Sequence, residues 1–123
     1  NEISILNAYI LKNIFKKYSK NKLKIKWPND ILIKNKKFCG ILQETIKSNS
    51  KKYLIIGIGI NSKFAPDEEI FNSTHLEKYS INPIQNNYII EDIKDSYEQF
   101  ISDIDKLKIS FLKKKYKEKK WII

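Results

Sequence analysis

The segment of residues 23–30 constrains the fold more than any other, because a strand pattern in it ends at a rigid bend. Residues 23–27 (LKIKW) alternate apolar and charged side chains with period 2, which predicts a strand. Pro28 lacks a backbone N–H and removes a donor from the sheet ladder, so the strand should end there. Asn29 and Asp30 then follow at the strand end, where a bend can aim short polar side chains into a cleft. The segment therefore predicts both a sheet and a candidate site.

Three more strand patterns follow the bend and are separated by turn residues. A short apolar run at residues 31–33 leads into Asn35-Lys36, where asparagine tolerates positive φ and favours a hairpin turn. The next strand is predicted over residues 37–46, and a polar turn follows at residues 48–50. Residues 53–60 form a continuous apolar run, which predicts a strand buried on both faces. Because short turns join successive strands, we expect an antiparallel meander.

Amphipathic helices are predicted on both sides of the strands in the sequence. Residues 3–18 carry apolar side chains at spacings of three and four, and residues 93–107 repeat the pattern. The second helix is predicted to continue after a break through Ile109, Leu112 and Tyr116. Residues 62–87 are mostly polar, so we predict a long surface loop there that carries a turn of helix. The order helix, strands, loop, helices predicts an α+β fold in which helices flank a mixed or antiparallel sheet.

The composition bounds the number of domains and the class of partner. A chain of 123 residues can bury one core, so we predict a single domain over residues 1–123. The net charge of +10 depends on lysine alone, because the sequence contains no arginine. The planar fork that reads bases and clamps phosphates is therefore absent, and we expect no specific nucleic-acid partner. A basic nucleic-acid module would instead show binding that weakens steeply with salt.

The few cysteine and histidine residues limit the chemistry further. Cys39 cannot form an intramolecular disulfide, and Cys39 together with His75 cannot supply a four-ligand metal set. Both are predicted to be structural. No apolar run reaches the roughly 20 residues that span a bilayer, and the N-terminus does not read as a signal peptide. We predict a cytoplasmic protein with no membrane partner.

Two further motifs follow the Lys-Trp-Pro-Asn-Asp bend of residues 26–30. Residues 37–44 read Lys-Phe-Cys-Gly-Ile-Leu-Gln-Glu, and residues 56–61 read Ile-Gly-Ile-Gly-Ile-Asn. In order and spacing, the three segments resemble the catalytic domain of biotin protein ligases. The resemblance implies a fold related to lipoate ligases and class II aminoacyl-tRNA synthetases. It covers only the second half of that catalytic domain, without the family's Gly-Arg-Gly-Arg-type loop, so we expect a partial domain truncated on its N-terminal side.

The resemblance implies a two-step ligase reaction that uses biotin, ATP and Mg²⁺. The biotin carboxylate would attack the α-phosphate of ATP to form biotinyl-adenylate. A lysine amine of a biotin carboxyl carrier protein would then take the biotinyl group. The implied partner is therefore that carrier protein.

Two residues of the motifs are implied to be catalytic. Lys37 matches the lysine that contacts the ligand in the family, where a fixed ammonium offsets the negative charge of carboxylate and phosphate oxygens. The alternative is that Lys37 is one more exposed lysine at a hairpin exit. Asp30 matches a position suited to orient the incoming lysine amine or a bound cation. Its alternative role is to cap a turn.

The remaining motif residues are implied to form the biotin and adenylate pocket. Lys26 and Asn29 are expected to support the bend, and Trp27 is expected to lie in the core or in a pocket wall. Close approach of the backbone to a ligand is expected at Gly40, Gly57, Ile58 and Gly59, and the alternative for these positions is a bulge or tight strand packing. Asn61 would lie near the adenine and phosphate end of the nucleotide, or otherwise end its strand. Glu44 is expected to be a buried hydrogen-bond partner.

Two alternatives to biotin ligation remain open at the level of the sequence. The first is a lipoate or octanoyl transferase on the same fold. The second is a non-catalytic or split-enzyme fragment that binds a separate N-terminal half or self-associates. The second follows from the sheet strands expected to be missing, because their loss would leave an unpaired edge and an uncovered apolar face.

Overall fold

The computed structural model describes residues 2–66 and 68–106, which form an α+β fold as predicted. Its helices are α1 (Glu2–Phe15), α2 (Glu68–Phe71), a 3₁₀ helix (Leu76–Tyr79) and α3 (Asn86–Lys106). Its strands are β1 (Leu23–Lys26), β2 (Asp30–Ile33), β3 (Lys36–Ser48) and β4 (Lys51–Ile60). The helical positions predicted at Leu107, Ile109, Leu112 and Tyr116 lie outside the described residues.

The four strands form one antiparallel sheet in the order β1-β2-β3-β4, which confirms the predicted meander. The β3–β4 turn has positive φ at Asn49 (50°) and Ser50 (65°), as a two-residue hairpin turn of type I′ requires. The β2–β3 turn has positive φ at Lys34 (53°) and Asn35 (63°), one position earlier than predicted. Lys36 is already paired with Ile33 at the start of β3. The turn residue asparagine was therefore identified correctly, but it occupies the second turn position.

The core lies between one face of the sheet and helices α1 and α3. Helix α1 buries Leu11, Ile14 and Phe15 at 0–2% exposure, spaced as an amphipathic helix requires. The Phe15 ring packs edge to face on Phe38 of β3, with ring centroids 5.3 Å apart. We call the other side of the sheet, away from α1 and α3, the open face.

Strand β4 is buried on one face only, so the prediction of burial on both faces is wrong. Ile56, Ile58 and Ile60 are partly buried against the core, whereas Ile55 on the open face is 48% exposed. The sequence could not separate these residues, because the apolar run has no polar alternation. The tertiary structure separates them, since, among the described elements, α1 and α3 pack on the face of β4 that carries Ile56, Ile58 and Ile60.

The segment predicted as a surface loop is more structured than expected. It contains α2 and the 3₁₀ helix, and Thr74, Leu76 and Ile84 in it are at most 1% exposed. Helix α3 also begins at Asn86 rather than near Ile93. The apolar spacing in fact reaches back to buried Ile89, four residues before Ile93, which explains the earlier start.

Polar contacts tie the two long helices to each other and to the sheet. Asn7 of α1 donates from Nδ2 to Gln43 Oε1 of β3 (2.7 Å) and accepts at Oδ1 from the Tyr97 hydroxyl of α3 (2.8 Å). The Tyr18 hydroxyl donates to the Asp92 carboxylate of α3. Within the described ranges, no helix combines the length and apolar character that crossing a membrane demands.

Candidate active site

One row of paired residues crosses all four strands and contains members of each sequence motif. Lys26 of β1 is opposite Asp30 of β2, Asp30 is opposite Gly40 of β3, and Gly40 is opposite Gly59 of β4. Residues directly opposite in a sheet share a face, so the four lie side by side on the open face. The sheet register therefore brings the three motifs together.

A β-bulge at Phe38 brings Lys37 onto the same face. The pairing of β2 with β3 shifts between Ile31 and Leu32, so that Ile31 is opposite Cys39 but Leu32 is opposite Lys37. Phe38 is thus an extra residue, and Phe38 and Cys39 are both buried at 1% exposure. Without this residue, strict alternation would turn the Lys37 side chain toward the core. Nothing in the sequence analysis indicated the bulge.

Lys37 and Asp30 form an ion pair on the open face. The distance from Lys37 Nζ to Asp30 Oδ1 is 3.1 Å, and the side chains are 49% and 23% exposed. A pair with this exposure contributes about 0–1 kcal/mol to stability. Because an ammonium carries three donors, one contact with Asp30 leaves Lys37 able to bind a second anion. The pair therefore adds little to the stability of the fold, and the Lys37 ammonium remains able to bind a further anion.

The segment of residues 72–74 fixes the backbone of Lys37. The Lys37 N–H donates to the Asn72 carbonyl (3.2 Å), and its carbonyl accepts from the Thr74 N–H (2.8 Å). Ser73 thereby makes a short parallel bridge with Lys37. The sequence analysis missed these residues, because their contribution is through backbone groups and leaves no side-chain signal.

All three glycines of the chain lie on the open face. Gly40 is opposite Gly59, and Gly57 lies two residues along β4 on the same face. None has positive φ, so none is required by its backbone conformation. A Cβ atom at Gly57 or Gly59 would approach no described atom closer than 3.7 Å, an ordinary van der Waals contact. None of the described residues therefore fills the space above these two glycines.

This geometry can be compared with known proteins. Residues 2–61 match the model of the Biotin/lipoate A/B protein ligase family. The matched segment, a little under half of the chain, is similar to that family.

Relatives in sequence show the same similarity. The chain is 32% identical over 68 residues to the bifunctional ligase/repressor BirA of Escherichia coli, which covers 54% of this chain and 21% of that protein. It is 51% identical over 45 residues to BirA of Bacillus subtilis, which covers 36% of this chain and 14% of that protein.

Solved structures support the fold. The biotin protein ligase of Aquifex aeolicus in complex with biotin and ATP superposes with a TM-score of 0.66 at 22% identity, covering 91% of this chain and 47% of that one. The apo form of that enzyme gives the same TM-score over 85% of this chain and 47% of that one. The chain therefore spans about half of these ligase structures and a smaller share of the BirA proteins.

The bend of the ligase-family segment is held by Asn29. Its Nδ2 donates to the Ile41 carbonyl (2.8 Å), and its own carbonyl accepts from the Ile41 N–H (2.9 Å), so the predicted support of the bend is confirmed. Trp27 precedes a cis bond to Pro28 and is 67% exposed, so the prediction of a core position is wrong. The reason is that β1 ends at Lys26, and the alternation does not continue into the turn.

Other predicted residues of the ligase-family segment take positions that change their interpretation. Ile58 is opposite Ile41 and packs toward the core, so only its backbone could approach a ligand on the open face. Glu44 is exposed on the open face, which makes the prediction of a buried partner wrong. Asn61 donates from Nδ2 to the Thr74 carbonyl (3.2 Å), which joins the end of β4 to the segment that fixes Lys37.

Cys39 is buried beneath the site and has the structural environment that was predicted. Burial raises the pKa of its thiol to about 12, although the nearby Lys37 ammonium acts in the opposite direction. The thiol therefore stays protonated and is a poor nucleophile at neutral pH. Among the described residues, no group of three or more His, Cys, Asp or Glu side chains is placed to hold a metal ion.

Proposed function

We propose that this chain is part of a biotin protein ligase, which uses ATP to attach biotin to a lysine of a biotin carboxyl carrier protein. The observation that carries the proposal is the Lys37–Asp30 pair beside a glycine-lined surface on the open face. The family match of residues 2–61 and the similarity to the BirA relatives support the same reaction. The binding surface would comprise Lys26, Trp27, Asn29, Gly40, Gly57, Gly59 and Asn61, with the Ile58 backbone.

In the first step, an oxygen of the biotin carboxylate attacks the α-phosphorus of ATP. Biotinyl-adenylate forms, and pyrophosphate leaves with the electrons of the broken P–O bond. Both reacting groups are anionic, and charge builds on the phosphate oxygens. The Lys37 ammonium offsets this charge, because its contact with Asp30 uses one of its three N–H donors.

In the second step, the carrier lysine amine attacks the acyl carbon of biotinyl-adenylate. An amide bond forms, and AMP leaves. The amine must reach the site near the open face and lose a proton during the attack. The Asp30 carboxylate is suited to orient that amine, since a carboxylate accepts hydrogen bonds from an ammonium or amine.

The Mg²⁺ that accompanies ATP would be bound mainly by phosphate oxygens and water. Mg²⁺ in proteins commonly takes one or two carboxylates in addition to these ligands. Asp30 fits that requirement, because its partly exposed carboxylate is a hard oxygen donor on the open face. The ion would supply neutralisation of phosphate charge.

The proposal is tested by intact-mass detection of biotin transfer to a carrier domain with ATP and Mg²⁺. The chain is assayed by itself and together with a separately supplied N-terminal segment of a related ligase. Transfer in either arm supports the proposal. No transfer in both arms would favour a non-catalytic fragment. Adding lipoate in competition with biotin decides between the two substrates that the family name covers.

The role of Lys37 is tested by Lys37→Ala. Removal of the ammonium should reduce transfer by at least about tenfold, because a hydrogen bond to a charged group contributes about 1.5–3 kcal/mol. The fold should be retained, because the ion pair is exposed. Lys52→Ala, at the exposed far end of β4, is the matched control and should transfer normally. Unchanged transfer by folded Lys37→Ala would remove Lys37 from the mechanism.

A further inference from the structure

Gly40 lies directly beneath the end of the Lys37 side chain. A Cβ atom built at Gly40 would be 3.0 Å from Lys37 Cε and 3.1 Å from Lys37 Nζ. It would also lie 3.7 Å from Asp30 Oδ1, which is an ordinary contact. The space that a side chain at position 40 would fill is therefore occupied by the ammonium end of Lys37.

The backbone does not explain why position 40 is glycine. Its φ is not positive, so other residues could adopt the same conformation. Gly59, directly opposite on β4, differs in this respect, because a Cβ there would meet only the Gly40 carbonyl oxygen at 3.9 Å. Of these two paired glycines, Gly40 alone would contact Lys37 if it carried a side chain.

The ion pair is easily displaced. Lys37 has a long flexible side chain that is 49% exposed, and an exposed pair with Asp30 is held only weakly. Carbon atoms normally pack at about 3.5–4.0 Å, so a methyl group at position 40 would push Lys37 Cε outward by several tenths of an ångström. The fold could yield there at little cost, because only the end of one side chain must move.

We infer that Gly40 is a positioning residue. Because it has no side chain, it lets the Lys37 ammonium lie close to the sheet backbone and in contact with Asp30. This role is distinct from close approach of the Gly40 backbone to a ligand. It deepens the proposed function and depends on it for its effect on catalysis, since that function requires the ammonium at a fixed place. The effect of Gly40 on the position of the Lys37 ammonium, by contrast, does not depend on the proposed function.

The inference is tested with Gly40→Ala in two independent measurements. The first is a crystal structure of the variant, in which the distance from Lys37 Nζ to Asp30 Oδ1 should lengthen from 3.1 Å by several tenths of an ångström. The second is biotin affinity in the presence of ATP and Mg²⁺, which should weaken about tenfold. The midpoint of urea unfolding of Gly40→Ala should remain close to that of the unchanged chain.

Double variants distinguish positioning from a direct role. If Gly40 acts through Lys37, adding Gly40→Ala to Lys37→Ala should weaken biotin binding no further than Lys37→Ala does alone. Gly59→Ala is the matched glycine control, and its effect should add to that of Lys37→Ala. The double variant also controls for folding, because removing the Lys37 side chain removes the contact with the new methyl group.

Three outcomes would overturn the inference. They are an Nζ–Oδ1 distance still near 3.1 Å in Gly40→Ala, additive losses of affinity in the Lys37→Ala background, and a double variant that fails to fold. If the unchanged chain binds no biotin, the proposed function fails, and the distance in the Gly40→Ala structure still decides the positioning role.

Discussion

Three small features around Lys37 and Asp30 place these two side chains next to each other. The extra residue Phe38 turns Lys37 to the open face, and Gly40 leaves room for the ammonium. Backbone hydrogen bonds with Asn72 and Thr74 hold the strand position of Lys37. None of these features contributes a charged group, yet together they decide where the charge of Lys37 lies.

At the same scale, the glycines of β4 lead to a prediction about ligand binding. Gly59→Val should leave stability unchanged or raise it by up to about 0.5–1 kcal/mol, because glycine weakens a strand interior and nothing crowds its Cβ. Biotin binding should weaken by about tenfold or more, since the side chain would occupy the space above the glycine-lined surface. Calorimetric titration and urea unfolding measure the two effects.

The control for this variant is Lys51→Val, at the start of the same strand and away from the paired row. It should bind biotin as the unchanged chain does. Normal binding by folded Gly59→Val would mean that the ligand does not lie over β4.

At the scale of elements, β3 performs two tasks at once. Its residues before and after the bulge present Lys37 and Gly40 to the open face, while Phe38 and Cys39 are buried in the core. A regular strand could not bury two consecutive residues on one face. The bulge therefore joins core packing to site geometry, so a change in the core at this point should also affect the site.

Phe38→Ala should be strongly destabilising. The ring is 1% exposed and packs on Phe15, and removal of a buried phenylalanine ring costs about 3–5 kcal/mol. Leu42→Ala is the control on the same strand, since Leu42 is 75% exposed and its loss should cost less than about 0.5 kcal/mol. Urea unfolding compares the two. Equal midpoints would show that the bulge residue is not part of the core that α1 forms.

At the scale of the whole molecule, the sheet separates a packed side from the open face. Helices α1 and α3 cover the packed side, where the Asn7–Gln43 and Asn7–Tyr97 hydrogen bonds connect three elements. The open face carries the paired row together with exposed apolar residues at Leu42 and Ile55. Strands β1 and β4 stand at the two ends of the strand order.

The packed side predicts a loss of stability at alkaline pH. Burial is the main cause that raises the pKa of Tyr97 from 10.0 to about 12, and burial with the hydrogen bond to Asp92 raises that of Tyr18 to about 12. Above pH 10, the unfolded chain loses these protons while the folded chain keeps them. Unfolding then releases protons, so the free energy of unfolding should fall as pH rises from about 10 to 12.

Tyr97→Phe should weaken this pH dependence, because one of the titrating groups is removed. At neutral pH the variant should be less stable by about 0.5–1.5 kcal/mol, since Asn7 loses a hydrogen bond. Urea midpoints between pH 8 and pH 11 measure both effects, with exposed Tyr53→Phe as the control. If the urea midpoint falls equally steeply with pH in Tyr97→Phe and in the unchanged chain, Tyr97 does not contribute to the pH dependence.

Local patterns in the sequence determined the meander, the β3–β4 turn and the order of the motifs. Asparagine at positions 35 and 49 marked the turns, and Pro28 marked the end of the first strand, because these residues restrict or widen backbone choice by themselves. The candidate residues of the paired row followed from the motifs. Their side-by-side arrangement came only from the sheet register of the structure.

The tertiary structure alone decided which face each residue occupies. The bulge at Phe38, the exposure of Trp27 and the one-sided burial of β4 depend on pairing and packing with distant elements. The contact of residues 72–74 with Lys37 likewise joins backbone groups that are far apart in the chain. The spacing of apolar residues and the turn residues are local features of the sequence, so they can locate a strand and its ends. Which side of the sheet a residue faces is set by what packs on each side.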